Sequence, residues 1–248
     1  MTPSVDLSGF ELAGDSFIAV LTGAGVSAEC GIPTFRGEGG LWKTHRAEEL
    51  ATPGAFAEDP RLVWEWYDYR RQICASKDPN PAHYAITRLD EALPNFLLVT
   101  QNVDGLHRRA GTKRMVELHG NLFRARCTEC GAVTDALQVP LPEIPPRCGC
   151  GGLLRPDVVW FGEALPEDAL RGGLDASRDC DLMVVVGTSG VVQPAASMPL
   201  LAKQAGARVI EVNPDPTPIT PFADLHLEGK AGAVLPGLVD AILDLAKS

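Results

Sequence analysis

The stretch Glu117-Leu118-His119-Gly120-Asn121 follows a short apolar run, so His119 falls where a strand would end beside glycine. Imidazole titrates at about pH 6.5 unaided, which lets a histidine placed there act as a general base near neutrality. A histidine that serves packing alone is the other reading. Upstream, Gly23-Ala24-Gly25-Val26-Ser27-Ala28 has the glycine spacing of a dinucleotide turn, with alanine in the third place. Such glycines let the backbone approach a pyrophosphate, and a following helix would aim its N–H groups at it. A strand-to-helix turn with no ligand has the same spacing. A hydride-transferring dehydrogenase would continue to a second strand ending in an acid. This chain instead enters Gly31-Ile32-Pro33-Thr34-Phe35-Arg36-Gly37. Further on, Thr100-Gln101-Asn102-Val103-Asp104-Gly105-Leu106-His107 brings together Gln101, Asn102 and Asp104. These side chains could bond ribose hydroxyls or a carboxamide, or form an Asx turn capping a helix.

Of seven cysteines, four form two close pairs, Cys127-x-x-Cys130 and Cys148-x-Cys150. Two such pairs separated by a loop suit a tetrahedral four-thiolate zinc site, with free thiols as the alternative. The second knuckle is one residue short, and the glycines at 149, 151 and 152 could absorb the strain. With sulfur in all four places no coordination position stays open, so the metal would be structural.

Elements must hold these residues. Apolar runs at 16–22, 96–100, 182–186 and 209–212, with 115–118, 158–161 and 225–227, read as strands. Their continuity, rather than alternation, predicts a parallel sheet covered on both faces. Helices are expected from Asp59-Pro60 toward Cys74 and over 81–93, 199–205 and 235–246. Residues 31–53 read as a long functional loop, and 127–155 as a segment too poor in apolar residues to build much core. The pattern is α/β, an open doubly wound sheet. Ligands of such sheets lie at the carboxyl ends of the strands, where Gly187-Thr188-Ser189 and Asn213-Pro214-Asp215 also fall.

A length of 248 residues fits one large domain, alone or with a small satellite. Thirty-two acidic against 22 basic residues give a net charge of −10, which argues against nucleic acid or an anionic membrane as main partner. No apolar run approaches the roughly 18 residues of a membrane span. Asp6, Glu11 and Asp15 precede the first basic residue, Arg36, unlike a secretory or transit segment, so a cytoplasmic location is expected.

In order, GAGVSAECGIPTFRG (23–37), TQNVDGLH (100–107), ELHG (117–120), the paired cysteines, Val158-Val159-Trp160-Phe161-Gly162-Glu163, GTS (187–189) and NPD (213–215) resemble a sirtuin, an NAD-dependent protein-lysine deacylase. The resemblance implies a Rossmann-type domain over 1–37, 81–120 and 156–248. It implies a smaller module with a helical part at 38–80 and a zinc-binding part at 121–155. NAD would be held by Gly23, Ala24, Gly25, Ser27, Ala28, Thr34, Phe35, Arg36, Trp42, Gln101, Asn102, Val103 and Asp104. Its far end would meet Gly187, Thr188, Ser189, Asn213, Pro214, Asp215 and Ala231. His119 would be the base, with Asn102 and Asp104 placing the ribose and its water. Val158, Val159, Phe161 and Gly162 would pair with an acyl-lysine peptide or protein as an added strand. Cys127, Cys130, Cys148 and Cys150 would hold one structural zinc.

The implied reaction starts when the acyl-lysine amide oxygen attacks the ribose carbon bearing nicotinamide. It ends in free lysine, nicotinamide and an O-acyl-ADP-ribose. Tyr67-Asp68-Tyr69-Arg70 resembles the Tyr-x-x-Arg of the subclass acting on succinyl or malonyl groups, and Ala51 sits where that subclass keeps a small residue. An Arg on a surface helix is the alternative for Arg70. An ADP-ribosyltransferase or a non-catalytic NAD sensor would keep the glycine turn with less need of His119.

Overall fold

The computed structural model describes residues 5–32, 41–42, 45–135 and 137–247, and of Leu41, Trp42 and His45 the backbone alone. Its elements, in chain order, are β1 (Ile18–Thr22), α1 (Gly25–Ala28), β2 (Leu41–Trp42), β3 (His45–Arg46), α2 (Ala47–Leu50), α3 (Pro53–Glu58), α4 (Pro60–Ala75), α5 (Pro81–Ala92), β4 (Phe96–Thr100), α6 (Leu106–Ala110) and β5 (Met115–Glu117). Then come β6 (Gly120–Cys127), β7 (Val133–Thr134), β8 (Leu154–Val158), α7 (Glu167–Asp179), β9 (Leu182–Val186), α8 (Met198–Ala205), β10 (Arg208–Asn213), β11 (Leu225–Glu228) and α9 (Ala231–Leu245).

Six parallel strands form one sheet in the order β11-β10-β9-β1-β4-β5. The chain runs outward from β1 through β4 to β5, returns to β9, and runs outward again. Every residue of β1 and β9 is buried, as a sheet covered on both faces requires. Ile86 and Leu89 of α5 join Leu238 and Ile242 of α9 in the core on one face. Ala176 of α7 joins Met198 and Ala202 of α8 on the other. Asp59 and Asn80 cap α4 and α5, each followed by proline at the first helical position.

A second sheet, β7-β6-β8, is antiparallel. It corrects the reading of 158–161 as a strand of the parallel sheet. The strand is β8, it ends at Val158, and Trp160 turns away with its N–H on Glu163. The small sheet runs from Gly120 at the start of β6 to Val158 at the end of β8. Its core comes from outside: α4 lays Trp64 and Trp66 against Leu122, Ala125 and Leu154, and Trp64 Nε1 donates to the Leu154 carbonyl at 2.6 Å. The loop expected over 31–53 contains β2, β3 and α2, with 33–40 outside the described residues. Helix α9 starts four residues earlier than the pattern suggested, with Pro236 inside it.

The four thiols of 127, 130, 148 and 150 lie within 4.8 Å of one another, with Cys127 and Cys150 3.5 Å apart and Cys130 and Cys148 3.8 Å apart. Tetrahedral zinc with bonds of about 2.3 Å sets its sulfurs roughly 3.8 Å apart, so the cluster fits zinc. The short knuckle is accommodated at Gly152, where an added Cβ would come within 2.5 Å of Glu129 Cγ and 3.0 Å of Cys127 Sγ. Zinc analysis of the purified protein should therefore return one ion per chain. Stripping it with a strong chelator should unfold β6–β8 before the parallel sheet, read as early loss of amide-exchange protection over 121–155. Protection unchanged after metal removal would contradict a structural metal.

Candidate active site at the switch point of the sheet

The strand order reverses between β1 and β9, and the loops leaving these strands touch. Gly25 N donates to Gly187 O at 2.8 Å, and Gly23 N to Val186 O at 3.0 Å. A Cβ on Gly25 would lie 2.7 Å from the Gly187 backbone. Gly187 itself has φ 58°, and its Cβ would meet Val26 N at 2.5 Å. The glycine pattern is thus required by two backbones packed on each other, and the crevice beside them is where open α/β sheets bind dinucleotides. The helix expected after the glycines is α1, a single turn, and the N–H groups of Gly23, Gly25, Val26 and Ser27 are taken by the carbonyls of Val186, Gly187, Gly23 and Ala24. Asn213 Nδ2 donates to Thr188 O, and Gln101 Nε2 to Thr188 Oγ1, which ties the three strand ends together. Ser189, Pro214 and Asp215 are exposed beside them, and Ala28 is exposed at the end of α1. Ala231 is buried at the start of α9, whose Gly232 N–H bonds Glu29 just after α1. Thr34, Phe35 and Arg36 lie outside the described residues, and Trp42 is placed in β2 by its backbone only.

The loop after β4 carries a buried polar network. Asn102 Nδ2 donates to Gly23 O at 3.0 Å and to Ser27 Oγ at 3.3 Å. The Gly23 carbonyl can only accept, which fixes the amide orientation and leaves Oδ1 as its acceptor. Ser27 Oγ donates to Asp104 Oδ2 at 2.7 Å, and Leu106 N–H to Asp104 Oδ1 at 2.8 Å. The second bond is the Asx turn offered as an alternative for this stretch, so Asp104 meets the first N–H of α6, whose N-cap is Gly105, and also joins the network. Burial pushes the Asp104 carboxyl up, against the Leu106 and Ser27 bonds and the Arg70 charge that favour its ionised form. Val103 is buried, and its carbonyl accepts from Leu122 N–H.

His119 is half-buried beyond β5. Its Nδ1 lies 2.9 Å from the Gln101 carbonyl, which must accept, so a neutral ring keeps Nε2 free as a base. Burial lowers its pKa below 6.5, opposed by the Gln101 bond, so the unperturbed value expected from the sequence does not hold. Gly120, at φ 81°, lets β8 close in, since a Cβ there would meet Asp157 O at 2.1 Å. Val159 N–H then reaches His119 O, and Phe161 N–H reaches Ala51 O, both at 2.9 Å. Phe161 and Gly162 are exposed at this rim, Val158 is buried and Val159 half-buried.

Tyr67 and Ala51 are buried nearby. Trp160 Nε1 donates to Tyr67 Oη at 2.9 Å, and burial pushes the Tyr67 phenol up to about 12. Arg70, half-buried on the same side of α4, sits 4.9 Å over the Trp66 ring. Burial lowers its pKa, opposed by Tyr67, Cys74 and Asp104. The motif residues Trp160 and Glu163 take a place that the sequence did not assign them, against Tyr67 and Arg155. The Arg155 guanidinium lies 3.5 Å over the Trp160 ring and pairs with Glu163, so this trio sets where Trp160 meets Tyr67. The signal was Trp160-x-x-Glu163, inside a motif already in view.

A family model described as the Sir2 family matches residues 23–194. An NAD-dependent protein deacylase of Aquifex aeolicus (strain VF5) is 58% identical over 224 residues, covering 90% of this chain and 94% of its own. One from Pyrococcus furiosus is 52% identical over 242 residues, covering 95% and 97%. Among solved structures, a Sir2 homologue in complex with NAD matches with a TM-score of 0.87 at 48% identity, covering 100% of this chain and 98% of its own. A Sir2 mutant with a deacetylated p53 peptide and 3'-O-acetyl ADP-ribose matches with a TM-score of 0.80 at 33% identity, covering 91% and 93%. The glycine-packed switch point, the histidine beside it and these likenesses along nearly the whole length agree, and the chain belongs to the Sir2 family of NAD-dependent protein deacylases, the sirtuins.

Proposed function

We propose that the enzyme removes acidic acyl groups, succinyl or malonyl, from protein lysines, with acetyl as a further substrate. The observation that carries this reading is the pair Tyr67 and Arg70 on one side of α4, beside the small Ala51 and next to Trp160. A carboxylate entering a desolvated pocket is costly unless a cation meets it. Arg70 offers a planar fork of donors, and the Tyr67 hydroxyl, which already accepts from Trp160, has its own proton to give. A cytoplasmic place of work accords with thiols kept as metal ligands.

In this reading NAD supplies a ribose carbon that becomes electrophilic as nicotinamide leaves. The loops of Gly23, Ala24, Gly25, Ser27 and Ala28, of Gly187, Thr188 and Ser189, of Asn213, Pro214 and Asp215, and Ala231 line its path. Thr34, Phe35, Arg36 and Trp42 belong to the same proposed site. Gln101 and Val103 border the nicotinamide end. Asn102 and Asp104 orient the ribose, chiefly an effect of position. His119 Nε2 takes a proton from the ribose diol while its Nδ1–H stays on Gln101 O, which keeps the ring aimed. Val158, Val159, Phe161 and Gly162 offer a strand edge to the peptide.

His119→Ala should reduce deacylation by roughly 10²- to 10⁴-fold and leave NAD affinity and melting temperature near wild type. Because the base must be neutral and its pKa is lowered, the acid limb of the wild-type rate profile should lie below pH 6.5. A mutant of near-normal turnover would remove His119 from the chemistry. For Arg70→Met, a charge-assisted bond of about 1.5–3 kcal/mol predicts a loss on the order of 10- to 100-fold in kcat/KM on a succinyl-lysine peptide. An acetyl-lysine peptide lacks the carboxylate and should change far less. Equal loss on both peptides would make Arg70 a support of the helix, and loss on neither would make the enzyme a plain deacetylase.

A further inference from the structure

We propose that His107 is a positioning residue for the reaction, holding Asn102 in place through a buried relay of two threonine hydroxyls. The proposal rests on the reading of Asn102 as a residue that orients the ribose. His107 Nε2 lies 3.1 Å from Thr22 Oγ1. Thr22 Oγ1 lies 2.8 Å from Thr100 Oγ1, and Thr100 Oγ1 accepts from the Asn102 backbone N–H at 3.0 Å. The relay joins α6, the end of β1 and the end of β4, and His107, Thr22 and Thr100 are each at most 2% exposed.

The way the loop is anchored gives the relay its meaning. Gln101 N–H bonds the Thr22 carbonyl, and the Val103 carbonyl accepts from Leu122 N–H. These neighbours are held by backbone, whereas the Asn102 N–H is held by a side chain. What fixes that side chain therefore fixes the angle at which the Asn102 amide leaves the loop. Its Nδ2 meets Gly23 O and Ser27 Oγ. A small rotation there displaces Oδ1, the acceptor that would meet the ribose in that reading, and misplacements of this size are costly to rate.

The protonation state follows from what surrounds the ring. Among the described residues, Nδ1 of His107 has no hydrogen-bond partner. A proton on Nδ1 would be a buried donor facing nothing, so the proton of the neutral ring sits on Nε2 and points at Thr22. Burial, together with the nearby His83 ring 4.7 Å away, drives the His107 pKa well below 6.5 and keeps the ring neutral. An apolar side chain would fill this space without burying an unpaired nitrogen. Packing alone does not call for imidazole, and the one nitrogen with a partner is the one that starts the relay.

The test uses the full-length zinc-loaded enzyme with NAD and an acyl-lysine peptide, reading kcat, KM for NAD and melting temperature. Thr22→Val is close in shape and removes the hydroxyl. It should lower kcat roughly tenfold with KM for NAD within about twofold. Thr22→Ser keeps the hydroxyl and should restore kcat. His107→Gln can place an amide N–H where Nε2 was and should stay near wild type, while His107→Leu should match Thr22→Val. The double variant Thr22→Val with His107→Leu should be no slower than the slower single variant, because both break one relay. Wild-type kcat in Thr22→Val, or multiplied losses in the double variant, would overturn the proposal. So would a loss in Thr22→Val that serine does not restore. Should His107→Leu fail to fold, the Thr22 pair alone decides. Asn102→Ala separates the two levels. If it is inactive and Thr22→Val is not, the relay fails and the ribose reading stands. If Asn102→Ala keeps wild-type kcat, both fall.

Discussion

The site depends first on two main chains touching at Gly25 and Gly187. No side chain fits between them, and the hydrogen bond from Gly25 N to Gly187 O closes the contact at 2.8 Å. Because β1 and β9 are neighbours at the reversal of the sheet, this contact fixes the floor of the crevice. The next interactions build outward from it. Gly23 offers its carbonyl to Asn102, Thr188 takes Gln101 and Asn213, and the Gln101 carbonyl in turn aims His119.

Beneath that floor lies a polar layer that a hydrophobic core would normally exclude. Ser27, His83, Thr100, Asp104 and His107 are all buried. Burial drives His83 down to about 4 and His107 well below its usual value, so both rings are neutral at working pH. A neutral ring can donate and accept, which lets it join chains of hydroxyls that a cation would break. Such groups also link stability to pH. Their folded pKa values lie below the unfolded value of about 6.5, so the folded state binds fewer protons, and their contribution is kept above that pH and lost below it.

Much of the fold was legible in the sequence. Unbroken apolar runs gave β1, β4 and β9, and Asp59-Pro60 gave the start of α4, because burial on both faces and helix caps leave local traces. Helix α7 was not legible, since Gly172 and Gly173 interrupt its pattern. Strand β6 was hidden by its two arginines, Arg124 and Arg126, both of which pair with Asp157 across the sheet. Of the site, the motif residues were visible as strings. The Trp160–Tyr67 bond spans 93 residues of chain and the His107–Thr22 bond 85, so neither leaves a local pattern. The low pKa of His119 was invisible for the same reason, since it comes from packing brought in by distant strands.

Helix α4 links the cysteine-bearing segment to the residues proposed for the acyl pocket. One side of it, Trp64, Asp68 and Arg71, holds the cysteine-bearing segment. Trp64 bonds Leu154 O, Asp68 takes Leu141 N–H, and Arg71 reaches the carbonyls of Leu137 and Gln138. The adjoining side carries Tyr67 and Arg70, three residues apart and so nearly in line, with the Arg70 guanidinium 5.7 Å from the Tyr67 ring. Arg71 and Asp68 form an ion pair with 0% and 5% of their side chains exposed. A buried pair of this kind fixes geometry more than it adds stability, because desolvation offsets the attraction. The four thiols thus set the conformation of 127–155, that segment sets α4, and α4 sets how far Arg70 and Tyr67 stand from Trp160 and from Asp104. The pocket that would read the acyl group therefore stands on the same helix that holds the cysteine-bearing segment.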